Sequence, residues 1–231
     1  MMLRDPSTAY ELHVRTYTPT GVAEHSKERY TSEAWYDSVF TKVGFVSHFM
    51  RHAAENATVL FTDLDVVPLG PYSLLVALLP PTREMTWMYT GQKIAHMPVN
   101  SGFYLMRNTP NVRAFLGEWH RQIQARTLPK DSDDQRYANV LLTRGLVAGN
   151  ISLLWNVFPS SAVTAWVHDG PKPVHITSST LAFHAVGRAT VANKLARIDE
   201  AFNALRNASG RAGTRCMWQR SCTAAEAASC V

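Results

Sequence analysis

The chain has 231 residues, of which 46% are hydrophobic and 18% are charged, and its formal net charge is +5. This length and apolar content suffice for one well-buried domain with a tail, and the dispersed positive charge, without a nucleic-acid-binding motif, argues against a nucleic-acid partner. The longest clear apolar run, Tyr72–Leu79, is too short to span a bilayer, and residues 1–25 lack the apolar segment of a signal peptide, so we expect membrane attachment only through an anchor absent from this chain.

Residues 1–30 are polar and irregular, and residues 32–54 then predict a helix because apolar residues recur on one face at helical spacing. Lys42 lies within this apolar stripe, between Val39 and Val46. An amine on a core-facing surface is costly unless it meets an anion, although a side chain that extends to solvent is the alternative. We therefore expect Lys42 to face an anion, and Lys42→Met to weaken ligand binding while leaving the fold intact.

Residues 57–67 form an apolar run that Asp63 and Asp65 interrupt. In a strand, residues i and i+2 project to the same face, so both carboxylates would point together at the carboxyl end of a buried strand, where open α/β sheets bind ligands. The two anions repel each other, and a divalent cation that prefers oxygen ligands, Mg²⁺ or Mn²⁺, would relieve this repulsion. An exposed Asp-x-Asp turn without a ligand is the alternative.

The later elements follow from periodicity and turn residues. Thr109 and Pro110 predict a helix start, because threonine is a good N-cap and proline suits the first helical position. Up to residue 142, the remaining predictions are a short helix at 72–79, a strand with one buried face at 84–90, a polar turn at 99 that becomes a strand to 106, and a short helix at 137–142. After it come an irregular stretch at 150–175 that leaves room for short strands, a final strand at 181–187 and a helix from about 190. Alternating strands and helices predict one α/β domain over residues 1–208.

Residues 209–231 read as a loose tail that contains all three cysteines, Cys216, Cys222 and Cys230. Their spacing matches no zinc pattern, so either one disulfide with a spare thiol or three free thiols is expected. N-glycosylation sequons begin at Asn56, Asn150 and Asn207 and permit a location in the secretory pathway.

Four segments occur in an order that resembles a known family: Phe61–Leu69 with its Asp-x-Asp motif, Val99–Tyr104 with Asn-Ser-Gly, Asp134–Gln135, and His184–Gly187. The family is that of the nucleotide-diphospho-sugar transferases, glycosyltransferases of the GT-A fold, and the resemblance is to plant and algal retaining galactosyl-, xylosyl- and arabinosyltransferases. It covers residues 30–200. It implies an α/β fold with a mixed central sheet flanked by helices.

The resemblance implies a metal site made of Asp63, Asp65 and His184, which holds Mn²⁺ (or Mg²⁺) against the diphosphate of a nucleotide sugar, usually a UDP-sugar. In such enzymes the residue at the position of Asp63 also touches the ribose or the donor sugar. A structural histidine is the alternative for His184. The acceptor would be a glycan or glycoprotein, the configuration at the transferred sugar would be retained, and the location would be the Golgi or secretory-pathway lumen.

Further residues are expected to bind the donor. Lys42 and Lys194 would neutralise the remaining charge of the donor phosphates, with helix amides near Thr190 adding to this, although a solvated surface lysine is the alternative for Lys194. Ser101 and Gly102 would offer short polar groups and open backbone to the sugar hydroxyls, although an ordinary turn is the alternative.

Three residues are expected to act on the reacting sugars. Asn100 begins the Asn-Ser-Gly segment, and Asp134 and Gln135 resemble the pair that contacts donor or acceptor sugar opposite the metal. An acidic helix start is the alternative for Asp134, since Asp131 and Asp133 lie beside it.

One part of the family pattern is weak at the amino terminus. Such enzymes open with a strand that binds the nucleotide base, and only residues 9–16 offer one here, with a less apolar sequence than a central strand has. Two interpretations stay open: an amino-terminally incomplete copy, or an edge that is built differently. A non-catalytic, nucleotide-sugar-binding relative of the enzymes is therefore one alternative function.

A haloacid-dehalogenase-type phosphohydrolase is the other alternative, because its first motif is also an apolar strand into Asp-x-Asp. Asp63 would then be the nucleophile and Asp65 an acid/base group. The two interpretations predict different effects of substitutions: in the phosphohydrolase, Asp63→Asn would be the more severe change because it removes the nucleophile. If two repelling carboxylates form a metal site, Asp65→Asn should abolish turnover without lowering stability.

Overall fold

The computed structural model describes residues 2–4, 11–13, 33–90, 98–143, 152–165, 176–186 and 191–209, which form a mixed α/β structure. The helices among them are α1 (Glu33–His52), α2 (Tyr72–Ala77), α3 (Pro110–Gln124), α4 (Asp134–Thr143) and α5 (Val191–Ser209). The strands among them are β1 (Met2–Arg4), β2 (Glu11–His13), β3 (Thr58–Thr62), β4 (Val66–Pro68), β5 (Met85–Tyr89), β6 (Val99–Arg107), β7 (Trp155–Val157), β8 (Val163–Ala165) and β9 (Ala182–His184).

The chain divides into two compact units, and each unit is assembled from two separate stretches of sequence. The first comprises Met1–Ala57 and Asn108–Ile151, and the second comprises Thr58–Arg107 and Ser152–Val231. The prediction of one domain that ends at residue 208 and is followed by a tail stays a prediction, since residues 210–231 lie outside the described part of the chain.

In the first unit, α1 packs against α3 and α4. The apolar stripe predicted for α1 is buried at Val43, Val46 and Met50, because these positions share one face of the helix. The predicted cap of α3 is confirmed, since the amide of Val112 donates to the hydroxyl of Thr109 at 3.3 Å and Pro110 is the first helical residue.

In the second unit, β6 is central in a four-stranded mixed sheet of order β3-β6-β5-β7, in which β6 runs antiparallel to both neighbours and β5 runs parallel to β7. A second sheet has the order β4-β9-β8. A core cluster of this unit includes Leu75 from α2, Phe103 from β6 and Phe158, all buried. The short helix predicted over 72–79 is thus present as α2.

The single strand predicted over residues 57–67 was wrong. The chain forms β3 to Thr62, turns through residues 63–65, and resumes as β4 in the other sheet. The amide of Val66 donates to the carbonyl of Asp63 at 3.2 Å and closes this turn. The two aspartates therefore do not share a strand face by alternation, and β3 is only partly buried. Their turn joins two sheets, which no local pattern showed.

Two further predictions in the second unit need correction. Strand β5 is buried on both faces, including Thr86 and Met88, and Met88 packs into the core cluster that contains Phe103. Asn100 and Ser101 are not in a turn but are buried within β6, which is hydrogen-bonded on both sides.

The predicted apolar face of α5 was partly wrong. Leu205 is buried as expected, but Leu195 is 56% exposed and Ala201 is buried in its place, so the buried face is rotated toward Ala201. At the amino terminus, β2 pairs with β1 in a two-stranded antiparallel sheet. The predictions for Gly187, Thr190, Asn150 and the cysteines fall outside the described residues. No helix within the described ranges has the length and apolar character to cross a membrane.

Candidate metal and nucleotide-sugar site

The turn that carries the two aspartates is held by backbone hydrogen bonds to two different strands. The amide of Asp63 donates to the carbonyl of Gly102 in β6 at 2.7 Å. The amide of Ala185, immediately after β9, donates to the carbonyl of Asp65 at 3.0 Å. Each aspartate is thus fixed to a separate sheet, and the turn is positioned by both.

Asp63, Asp65 and His184 each offer one ligand atom to a common point. These atoms lie within 4.8 Å of one another, and the two aspartates are partly buried whereas His184 is buried. His184 is the last residue of β9, whose pairing with β4 places it opposite Val66. Two antiparallel strands therefore bring together residues that lie more than a hundred positions apart in the sequence.

The carboxylate of Asp65 is compensated by two neighbouring side chains. His184 Nε2 lies 2.9 Å from Asp65 Oδ1, and Lys194 Nζ contacts Asp65 Oδ2. Burial raises the pKa of Asp65, but the hydrogen bonds and charges of His184 and Lys194 outweigh it and hold the pKa well below its usual range. In the metal-free protein this carboxylate therefore has favourable partners, which argues against the expectation that Asp65→Asn relieves repulsion.

A side chain at position 102 would not fit between these groups. A Cβ on Gly102 would lie 2.4 Å from His184 Cε1, 2.8 Å from Asp63 Oδ2 and 3.0 Å from Asn100 Oδ1. Asn100 Oδ1 also accepts from the amide of Gly102 at 2.7 Å. Gly102 is thus the position at which the backbone lets the histidine and the first aspartate approach each other.

The donor set fits a divalent metal ion. Two carboxylates and one imidazole suit Mn²⁺, and carboxylate oxygens suit Mg²⁺. The Nδ1 atom of His184 is buried and has no hydrogen-bond partner among the described residues, while Nε2 is shared with Asp65. A buried nitrogen of this kind is costly unless an ion or water satisfies it.

The structure brings Asn100 and Gly102 next to Asp63 and His184, as the distances from position 102 show. Ser101 is buried in the same strand. Lys194, 27% exposed, reaches the group from α5 through Asp65. That Asn100, Ser101, Gly102 and Lys194 bind the donor sugar or its phosphates stays a prediction.

Lys42, Asp134 and Gln135 belong to the first compact unit. Lys42 Nζ lies 3.0 Å from Asp134 Oδ2, and the two side chains are 19% and 5% exposed. The lysine in the apolar stripe thus meets an acidic partner, as its position indicated. The carbonyl of Gln135 accepts from Asn139 Nδ2 at 2.8 Å. Contacts of these three residues with donor or acceptor stay a prediction.

One residue that positions the site could not be predicted from the sequence. Ala185 holds Asp65 through its backbone amide, and no side-chain pattern distinguishes a residue that acts through its backbone. The steric role of Gly102 also depends on His184, which is distant in sequence. Only the occurrence of glycine beside asparagine and serine pointed to this segment.

Comparison with known proteins identifies the class and the family. Residues 7–197 match the family model described as nucleotide-diphospho-sugar transferase, so the protein is a glycosyltransferase. The chain belongs to the nucleotide-diphospho-sugar transferase family. The predictions of this family, of its α/β fold and of an enzyme of this class are confirmed, and the haloacid-dehalogenase alternative was wrong.

Two solved structures are similar at low identity. One is a glycosyltransferase involved in the glycosylation of the major capsid of PBCV-1, with 13% identity, a TM-score of 0.47, and coverage of 76% of this chain and 81% of that chain. The other is the glycosyltransferase GlyE of Streptococcus pneumoniae TIGR4, with 10% identity, a TM-score of 0.44, and coverage of 78% of this chain and 54% of that chain. No curated protein sequence matches the chain.

Proposed function

We propose that the protein transfers a sugar from a UDP-sugar to a glycan or glycoprotein acceptor, with retention of configuration, using Mn²⁺ (or Mg²⁺) held by Asp63, Asp65 and His184. The observation that carries this proposal is the convergence of these three side chains within 4.8 Å, in a chain that belongs to the nucleotide-diphospho-sugar transferase family. The donor set of two carboxylates and one imidazole supports a metal ion as the ligand.

The chemistry of the transfer explains why such a site is useful. The diphosphate leaving group gains negative charge as its bond to the sugar breaks, and a bound divalent ion supplies a Lewis acid that stabilises this charge. The ammonium of Lys194 adds a positive charge at the same carboxylate. The side chain of Asn100, close to Asp63, supplies a polar group near where the donor sugar would lie.

We assign contacts with the donor or acceptor sugar to Asp134 and Gln135 on the family resemblance alone. A Golgi or secretory-pathway location is part of the same proposal. It is supported by the sequons at Asn56 and Asn207, both of which are exposed. Exposure is what attachment of a glycan requires.

The first experiment measures consumption of a panel of UDP-sugars with Mn²⁺ and with EDTA. The matched control for Asp65→Asn is Asp199→Asn, since Asp199 is an exposed carboxylate of α5. We expect hydrolysis or transfer of at least one donor with Mn²⁺ in the wild type and in Asp199→Asn, and none in Asp65→Asn. Equal turnover in EDTA would overturn metal dependence.

The second experiment separates binding from turnover. Calorimetry of UDP with the wild type should show tighter binding in Mn²⁺ than in EDTA, and this difference should vanish in Asp65→Asn. Metal-dependent binding of UDP without turnover of any UDP-sugar, with or without a glycan acceptor, would instead indicate a non-catalytic relative. A phosphoenzyme trapped at Asp63 would contradict the transferase assignment altogether.

A further inference from the structure

Both oxygens of the Asp65 carboxylate are engaged by other side chains of the second unit. Oδ1 is 2.9 Å from His184 Nε2, and Oδ2 contacts Lys194 Nζ. Lys194 is therefore bound to an oxygen of a residue that we assign to the metal. The three side chains are partly or fully buried, with 22% exposure for Asp65, 27% for Lys194 and 4% for His184.

We propose that the ammonium of Lys194 competes with the divalent ion for Asp65, and that it moves from Asp65 to the diphosphate when the nucleotide sugar binds. The inference rests on the proposed function, because it takes a metal ion and a nucleotide diphosphate as the ligands of this site. Through Lys194, the binding of the metal ion and the binding of the nucleotide diphosphate then depend on each other.

The competition follows from the charges. An ammonium and a divalent cation on the same carboxylate repel each other, and partial burial weakens the screening of this repulsion by water and salt. In the metal-free protein, Lys194 supplies the positive charge that Asp65 needs. When the ion arrives, this contact has to be weakened or given up, so part of the binding free energy of the ion is lost.

The structure allows Lys194 to move without the rest of the site. Its amine is carried on a flexible four-carbon chain, and the side chain retains about a quarter of its exposure to solvent. Asp65 stays anchored through its carbonyl to the amide of Ala185, which does not involve Lys194. The amine can therefore leave while the aspartate remains in place.

The diphosphate provides the alternative partner for the amine. It brings several negative charges to a metal ion bound at Asp65, and lysine binds phosphate as a compact point charge. Once the amine pairs with the phosphate, it no longer opposes the ion at Asp65. Metal and nucleotide should then each strengthen the binding of the other, and by thermodynamic reciprocity the factor is the same in both directions.

The test compares Lys194→Met with the wild type by the electron paramagnetic resonance signal of free Mn²⁺, using the full chain. Methionine keeps an unbranched apolar chain and removes the charge. Arg197→Met is the matched control, because Arg197 lies one turn further along α5 and pairs with Glu200 at 2.6 Å, not with Asp65. It removes the same unit of charge from the same helix.

Without nucleotide, we expect Lys194→Met to bind Mn²⁺ about tenfold more tightly than the wild type, and Arg197→Met to differ by less than about twofold. Adding UDP should tighten Mn²⁺ binding in the wild type by a factor about ten times larger than in Lys194→Met. Lys194→Gln, which keeps a polar group in the same place, should behave like the methionine variant and serves if that variant does not fold.

Three results would contradict the competition between Lys194 and the metal ion, or the metal site itself. Equal or weaker binding of Mn²⁺ by both Lys194 variants, with the metal still bound by the wild type, overturns the competition and leaves the proposed function standing. Equal tightening in Lys194→Met and Arg197→Met overturns it too, because only general charge would be at work. Absence of Mn²⁺ binding in the wild type and in Lys194→Met, with and without UDP, removes the metal site itself and the inference with it.

Discussion

Each of the two compact units pairs a lysine with an aspartate, and the two pairs differ in burial and in their neighbours. In the second unit, Lys194 and Asp65 are 27% and 22% exposed, and Asp65 also contacts His184. In the first, Lys42 and Asp134 are 19% and 5% exposed. The pair beside the histidine can exchange its cation, whereas the more buried pair is costly to break because a buried carboxylate would lose its lysine.

Replacing Asp65 tests the exchangeable pair and should have the largest effect. Asp65→Asn removes a charge from the metal ligands and should lower turnover of a UDP-sugar by about a thousandfold or more, since the stabilisation of the leaving group is lost. Metal-free Asp65→Asn should also be less stable by about 1–3 kcal/mol, because charged hydrogen bonds to His184 and Lys194 are weakened. Turnover assays and urea unfolding in EDTA measure the two effects.

Asp199→Asn, on the exposed side of α5, should change neither quantity. If Asp65→Asn were more stable than the wild type in EDTA, the compensation of its charge by Lys194 and His184 would be refuted.

Replacing Lys42 tests the buried pair. Lys42→Met should lower the free energy of unfolding by about 3 kcal/mol, because the carboxylate of Asp134 stays buried without its lysine. This replaces the expectation from the sequence that the fold would be unaffected. Lys130→Met is the control, since Lys130 is an exposed lysine of the same unit. Denaturant unfolding of both variants measures the difference.

The double variant Lys42→Met with Asp134→Asn should recover part of the lost stability, because no buried charge is then left over. A loss of less than about 0.5 kcal/mol in Lys42→Met would mean that the pair behaves like a surface ion pair.

Replacing Gly102 disturbs the proposed metal ligands of the second unit without changing any charge, so it separates the effect of geometry from the effect of charge. Gly102→Ala would place a Cβ 2.4 Å from His184 Cε1 and 2.8 Å from Asp63 Oδ2, so one ligand has to shift. We expect the affinity for Mn²⁺ to fall by about ten- to a hundredfold, as for groups that orient metal ligands. Gly117→Ala is the control, since nothing lies within 4 Å of a Cβ there. Unchanged Mn²⁺ affinity in Gly102→Ala would show that the ligands can rearrange freely.

Asp133, next to the buried pair, should give the smallest effect and a pH signature. Burial raises its pKa, against the hydrogen bond from the amide of Arg136 and the charges of Lys42 and Arg136. For an acid whose pKa is raised in the folded state, folding loses stability as the pH rises from the ordinary aspartate pKa of about 4 through the raised value.

Asp133→Asn keeps an oxygen that can cap α4 and removes this loss, so it should be equal to or slightly more stable than the wild type at pH 7. The difference should disappear below about pH 4, where the wild-type side chain is protonated in both states. Urea unfolding of both proteins across this pH range measures it. A difference that grew as the pH fell would reverse the assigned sign.

Local patterns in the sequence predicted much of the secondary structure. Thr109 and Pro110 start α3 as expected, and the stripe with Val43 and Val46 is buried, because capping and helical spacing depend on neighbours in the chain. The sequence predicted the burial of strand residues less accurately. Thr86 and Asn100 are buried, which alternation within one strand cannot show, because burial depends on residues that pack on the strand from elsewhere in the chain.

The sequence predicted which residues form the candidate site, but it did not predict which strands and turns bring them together. Asp63, Asp65 and His184 were identified from a carboxylate pair and a family resemblance, and the structure brings them within 4.8 Å. The reason given for the convergence of the two aspartates was wrong, because a turn between two sheets, not a strand face, carries them.

The sequence by itself determined the family, the positions of most helices and the residue types available for metal and phosphate, because motifs and helical periodicity are written in neighbouring residues. Only the tertiary structure decided which anion meets which lysine, and that Asp65 lies against Lys194 and His184 while Lys42 pairs with Asp134. It also decided that position 102 admits no side chain. These contacts join residues far apart in the chain, and their charges compensate each other only after strand pairing and helix packing have brought them together.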